Sequence, residues 1–420
     1  MKKFLTLAAA AACTAAMFAS CQKDAGNGTK PQEDNTPRTV ALKMVYPETD
    51  GTRATGATPV TTADYIDFTS GHIFFVNTAS FNIEKHVGIG NSAGSVQVVD
   101  VQDFIDAEVV IAEVPAAADA AILIANEIPS GAFGASGITG NLEGTLYTDI
   151  IHNPITVISL NDAAGTVDNV PIFSADTTVE RTAGATPVGE IPFDATVTLP
   201  LTTPAARIEI ASISAVPVTI ETAGVTETFT VTDFTVEGIY INNYFPVSDI
   251  QGAYGENVET PRAVYNNGID PANYATTGTT QYVTGNAIGL ADLVEEAAVE
   301  GSVVSETGVW AYNIFGGIYA ATSHPHIVIK ISSFTYEIDL GGDVTERTVS
   351  TPRFLTVTGF TNSATDTHIA SIANGTVYSF ADLTFDYTNL SPIPEPGTEY
   401  AVQAIVTVTP WKVVNVTPEY

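Results

Sequence analysis

The chain has 420 residues and a formal net charge of −32, from 47 Asp and Glu against 15 Lys and Arg. All but five of those carboxylates, and only eight of the basic groups, lie beyond Arg53. Such a field repels nucleic acid and an anionic membrane surface, so neither is a natural partner, and it keeps an exterior solvated.

In chain order, Lys2 and Lys3 precede an apolar, Ala-rich run from Phe4 to Ser20 that is too short for a stable bilayer span and reads as a signal peptide over 1–20. It ends in Phe18-Ala19-Ser20-Cys21, small residues before a cysteine, as a lipoprotein signal peptidase requires. The expectation is a diacylated Cys21 and an outer-membrane lipoprotein precursor. Cys13 leaves with the signal and an acylated Cys21 cannot pair, which excludes disulfides, a Cys-based metal site and a thiol nucleophile.

Residues 22–38 are polar and rich in Gly, Pro and Asn, a tether with too few apolar side chains to bury a core. Within the 21–53 leader, Val40, Leu42, Met44 and Tyr46 alternate with Thr39, Ala41, Lys43 and Val45, predicting an amphipathic strand. Arg53 follows in a polar, Gly-containing stretch, Glu48 to Gly56.

Beyond it, alternating runs rich in Thr, Val and Ile, separated by Gly, Pro, Asn and Asp, predict antiparallel strands and tight turns. Strands are predicted at His72–Asn77, Thr196–Leu201, Arg207–Ile213, Phe229–Tyr240, His326–Ser332 and Phe354–Gly359, with helices over Ile288–Glu300 and Ala116–Ile128. Many short strands without strand–helix alternation favour β-sandwiches over a parallel sheet. A turn-rich stretch at 180–195 suggests two bodies, 54–190 and 191–420. The chain closes with Tyr400–Tyr420, where Val402, Ala404, Val406 and Val408 share one face, Pro410 interrupts, and Val414 and Val416 resume. So apolar a strand must find a sheet or aggregate.

Catalytic patterns fail in context. Gly90-Asn91-Ser92-Ala93-Gly94 matches a nucleophile elbow, but a strand-like run follows it, so a hairpin turn is expected there. His324 and His326 have no third ligand spaced nearby and read as the start of a strand. Glu295-Glu296 as a glycosidase pair is one coincidence among many carboxylates. Trp310 and Trp411 are too few for a sugar platform and read as core residues. Asp176-Thr177-Thr178 resembles a short O-glycosylation site. No enzyme, metal or cofactor is expected.

With these elements in view, the chain resembles the major fimbrial subunits (type V fimbrillins) of Bacteroidetes-type bacteria. The likeness rests on the signal ending at Cys21, VPIFSA at Val170–Ala175, VTLPLTTPAARIEI at Val197–Ile210, GIYINNYFPVS at Gly238–Ser248 and TVTPWKVVNVTPEY at Thr407–Tyr420. It covers nearly the whole length; Thr202-Thr203 departs from it, standing where an Arg is expected. The resemblance implies an all-β fold of two transthyretin-like β-sandwich domains with few short helices. It also implies a cut by an Arg-specific protease after Arg53, leaving Ala54 as the new N-terminus. That cut removes the strand bearing Val40, Leu42, Met44 and Tyr46, and the groove accepts a neighbour's donor strand bearing Val402, Ala404, Val406, Val408, Val414 and Val416. A cut at Arg38 would leave the groove filled. The implied partners are copies of the chain itself, accessory fimbrial subunits, the protease and host or bacterial surface ligands, with membrane contact only through the precursor's lipid. The implied role is a cell-surface fimbrial shaft subunit in adhesion or biofilm formation; the rivals are a tip or anchor subunit and a monomeric glycan-binding surface lipoprotein.

Overall fold

The computed structural model describes residues 36–45, 66, 68–90, 96–105, 109–126, 138–152, 155–156, 170–181, 193–242, 247–252, 298–299, 302–304, 310–318, 325–392 and 402–410. Over these the chain is all-β, with two short helices. The first half runs β1 (Arg38–Val45), β2 (Gly71–Val76), β3 (Ile83–Ile89), β4 (Gln97–Val99), α1 (Val101–Ile105), β5 (Val110–Val114), β6 (Ala120–Ala125), α2 (Thr148–Ile151), β7 (Ile155–Thr156), β8 (Ile172–Asp176), β9 (Glu180–Arg181) and β10 (Ala195–Pro200). These form a five-stranded sheet in the order β4-β3-β2-β6-β8 and a four-stranded sheet in the order β5-β1-β10-β9.

The second half contains β11 (Ala205–Ile210), β12 (Ser212–Ala215), β13 (Val218–Thr222), β14 (Val225–Asn242), β15 (Val247–Ser248), β16 (Ala298–Val299), β17 (Ser302–Val304), β18 (Trp310–Phe315), β19 (Gly317–Ile318), β20 (His326–Asp339), β21 (Val344–Val349), β22 (Arg353–Asn362), β23 (Thr367–His368), β24 (Ser371–Ile372), β25 (Thr376–Phe380), β26 (Leu383–Phe385) and β27 (Val402–Pro410). Its main sheet runs β13-β14-β20-β22-β27-β25-β11-β18, and β17-β12-β26 form a smaller one. The β13–β14 hairpin turns through Ala223 and Gly224, both at positive φ (53° and 83°), as a two-residue primed turn requires. The 18-residue β14 is broken by register shifts along its pairing with β20, which let so long a strand bend around the core.

The buried apolar residues of both halves form one continuous cluster. The halves are also joined directly: β15 pairs with β7, and His152 Nδ1 lies 3.4 Å from buried Asp249 Oδ2. β10 belongs to the sheet of the first half, so by sheet partnership that half reaches Pro200, past the expected boundary at 190.

The strands predicted within the described residues are present, several of them longer than predicted, except that Arg207–Ile213 is not one strand: it breaks at Ala211 into β11 and β12, which belong to different sheets. Ala116–Ile128 is not a helix: its centre is β6, paired on both edges with β2 and β8 and buried at all six positions. An Ala-rich apolar run has no periodicity to distinguish a buried strand from a helix, and the two neighbouring strands decide it. Most of Ile288–Glu300 lies outside the described residues, while Ala298–Val299 is strand, paired with β14. β3 and β4, the strands on either side of Gly90, run parallel and so do not form the hairpin expected there; Asn91–Gly94 lie outside the described residues. His326 opens β20, as read from the sequence.

Candidate assembly site

The leader strand β1 is internal to its sheet rather than lying along an edge. It runs parallel to β10, with Val40 opposite Ala195, Leu42 opposite Val197 and Met44 opposite Leu199, and antiparallel to β5, with Val40 opposite Ile111. Directly paired residues share a face, so Val40, Leu42 and Met44 (0%, 3% and 6% exposed) stand in one row with Ala195, Val197, Leu199 and Ile111, all fully buried. Lys43 points to solvent, and Ala41 on that outer face is nonetheless buried. The alternation seen in the sequence follows from this half-burial.

Several hydrogen bonds fix the strand. The Arg38 guanidinium donates from Nη2 to the Ala116 carbonyl (3.0 Å). The Thr39 amide donates to Asp194 Oδ1 (2.8 Å), and the Asp194 amide returns a bond to the Thr39 carbonyl (2.9 Å). The Leu42 amide donates to the Val109 carbonyl (2.9 Å). The Arg38 peptide is thus held in a paired strand. β5 has no partner other than β1 among the described strands, so removing β1 would leave the β5 edge and the facing β10 edge unpaired over an apolar trough. The sequence reading missed the walls of this trough, β5 and Asp194; the only local signal was an aspartate immediately before a strand. Cys21, Tyr46, Arg53, Ala54, Val414 and Val416 lie outside the described residues.

The other predicted element, β27, sits in its own subunit's main sheet. Val402–Val406 pair in parallel with β22, and Thr407–Pro410 pair antiparallel with β25. Val402, Ala404 and Val406 are buried (9%, 7% and 0% exposed) and Val408 packs against the core, whereas Ile405 on the other face is 66% exposed. The structure brings β1 and β27 into two different sheets.

Two buried polar clusters had no sequence signal. His72 Nδ1 and His86 Nε2 are 2.9 Å apart on β2 and β3. His86 Nδ1 accepts from the Leu142 amide (3.3 Å), so His86 Nε2 carries the proton given to His72. Burial lowers both imidazoles to about 4; for His72 the His86 ring adds to the fall, and for His86 the Glu143 carboxylate opposes it. On β11, Arg207 Nε lies 2.5 Å from Glu209 Oε1, and Ser379 Oγ donates to Glu209 Oε2 (3.1 Å), with both charged side chains buried. Among the described residues no group of three or more His, Cys, Asp and Glu could hold a metal ion, and no helix is long and apolar enough to cross a membrane. Thr177 and Thr178 are exposed at the end of β8, with the Thr178 amide bonded to Asp176 Oδ1 (3.0 Å).

No protein-family model matches the chain, and no curated protein matches its sequence. Solved structures do resemble it at low identity. Two carry the description "putative cell adhesion protein". The one from Bacteroides eggerthii is 15% identical over 92% of this chain and 99% of its own, with a TM-score of 0.43. The one from Parabacteroides distasonis is 13% identical over 90% and 99%, with a TM-score of 0.48. A fimbrilin from Porphyromonas gingivalis is 13% identical over 91% and 99%, with a TM-score of 0.44.

Proposed function

We propose that this chain is a structural, non-enzymatic fimbrial shaft subunit, exported as a lipoprotein and polymerised by protease-triggered strand exchange, with adhesion or biofilm formation as its role. The observation that carries this reading is the seat of β1. A leader strand separated from the body by Arg53 fills an internal position of a sheet, with three large apolar side chains buried. Those side chains are worth roughly 5–9 kcal/mol at about 1.5–3 each, before the entropy of ordering is subtracted.

Cutting after Arg53 makes β1 a separate peptide that can leave. The vacated trough, with open N–H and C=O groups on β5 and β10, calls for another extended segment, and a neighbour's C-terminal segment supplies apolar alternation at the same period of two. Head-to-tail exchange does not close on itself, so it grows a filament. Arg38 is the poorer cleavage site, because its peptide lies within paired β1 and its guanidinium is engaged. In this reading two β-sandwich bodies make up the processed subunit, and its partners are further copies, accessory subunits and the protease.

The test is digestion of the purified chain with an Arg-specific protease, followed by N-terminal sequencing and electron microscopy. A new terminus at Ala54 with SDS-resistant ladders and filaments is the expected result. Clean cleavage after Arg53 that leaves only monomers sinks the shaft assignment in favour of a tip subunit or a glycan-binding lipoprotein.

A further inference from the structure

We infer that the second half carries a self-docking face: the apolar side of the arm formed by β13, β14, β20 and β21 receives the same side of a second copy, in a two-fold lateral contact. This contact is separate from the β1 seat and does not rest on strand exchange.

The arm consists of two hairpins, β13–β14 and β20–β21, laid side by side by the β14–β20 pairing. Directly paired residues share a face, so the registers define both sides. One side carries Val218 beside Phe229 beside Ile338, and Ile220 beside Glu227. By alternation Val225 and Leu340 continue it to the two turns. The other side carries Thr219 with Thr228 and Thr335 with Thr348, each hydroxyl pair 3.1 Å apart, and Glu337 beside Glu346. An antiparallel arm with one polar side needs its apolar side covered. At the base the cover is Tyr387, whose ring centroid is 4.8 Å from that of Phe229 and 4.7 Å from that of Tyr336. Toward the tip the cover ends: Val225 is 52% and Leu340 50% exposed, and Val218, Ile220 and Ile338 are partly buried. A contiguous exposed apolar patch of this kind marks an interaction surface.

Charge placement names the occupant. A net charge of −32 opposes self-association, yet Glu221, Glu337, Asp339 and Glu346 all lie on the polar side of the arm. The paired rows of the apolar side hold one acid, Glu227, and one base, Arg347, which stands opposite Tyr336. Neither is in an ion pair among the described residues. Ile338 lies midway between them: Glu227 is one strand to one side and two residues nearer the tip, and Arg347 is one strand to the other side and two residues nearer the base. A two-fold axis lying in the interface and passing through Ile338 therefore sets each Glu227 against Arg347 of the second copy, while the aliphatic rows cover one another. A partner of a single charge sign satisfies one of the two groups; a second copy satisfies both.

The test is sedimentation equilibrium of the full-length, uncleaved chain under reducing conditions, over about a hundredfold range of concentration. The parent is expected to pass from monomer to dimer as concentration rises. Val225→Asp with Leu340→Asp, both at exposed positions, is expected to weaken dimerisation at least tenfold at an unchanged melting temperature. Glu227→Arg alone and Arg347→Glu alone should each weaken it at least tenfold, because each sets like charges together twice. An equimolar mixture of these two variants should associate to within about threefold of the parent, since the mixed pair has opposite charges at both contacts. A parent that stays monomeric throughout, or an association that the double aspartate variant leaves unchanged, overturns the self-docking face. Charge reversals that mixing does not rescue overturn its two-fold register.

Discussion

Leu42→Ala separates the two lives of the leader strand. Leu42 is 3% exposed and stands beside Val197 in the buried row of the β1–β10 pair. The substitution removes three carbons, about 2.4 kcal/mol at about 0.8 per methylene, and the cavity raises the loss to roughly 2–5 kcal/mol. With a urea dependence of roughly 2–3 kcal/mol/M, the midpoint of the unprocessed chain should fall by about 1–2 M. The assay is urea unfolding of parent and variant, before and after cleavage following Arg53, with ladder formation timed in parallel. If the proposed strand exchange operates, the processed assembly shows no difference in stability, since β1 would have left it, and the variant assembles faster because its cut leader leaves more readily. An unchanged midpoint before cleavage would refute the seating of β1. An equal loss in the processed assembly would refute its removal.

The His72–His86 pair predicts acid lability. In the fold both groups titrate near 4 rather than 6.5, so between those values the unfolded chain binds protons that the fold refuses. Stability contributed by the neutral pair is therefore present above about pH 6.5 and lost as pH falls towards 4, at up to about 1.4 kcal/mol per pH unit for each histidine. Replacing both by Leu should flatten this part of the profile in urea titrations from pH 7.5 to 4; an identical slope would show that other groups carry the acid response. In the second half, Glu209→Gln should cost roughly 3–5 kcal/mol by leaving the buried Arg207 charge without its carboxylate, whereas Arg207→Met with Glu209→Leu should recover most of that loss. A neutral effect of Glu209→Gln on the thermal midpoint would contradict this.

Local pattern carried much of the architecture. A strand with one buried face writes a period of two into its sequence, and β1, β10, β14 and β20 were legible for that reason. The leader strand was visible because Val40, Leu42 and Met44 repeat at that period beside Lys43. Where both faces are buried the pattern vanishes: β6 is Ala-Ala-Ile-Leu-Ile-Ala, compatible with either element until β2 and β8 flank it.

What the sequence determined by itself, then, was the all-β class, the apolar strand in the leader and the apolar segment at the C-terminus, because composition and alternation depend only on neighbours along the chain. Tertiary structure alone decided that β1 lies between β5 and β10, that β10 belongs to the first half, that β27 is a seam between β22 and β25, and that His72 meets His86 across two strands. The physical reason is that strand partnership is fixed by backbone groups every residue carries alike. Which edges meet is settled by packing between segments as far apart in sequence as Val40 and Ala195.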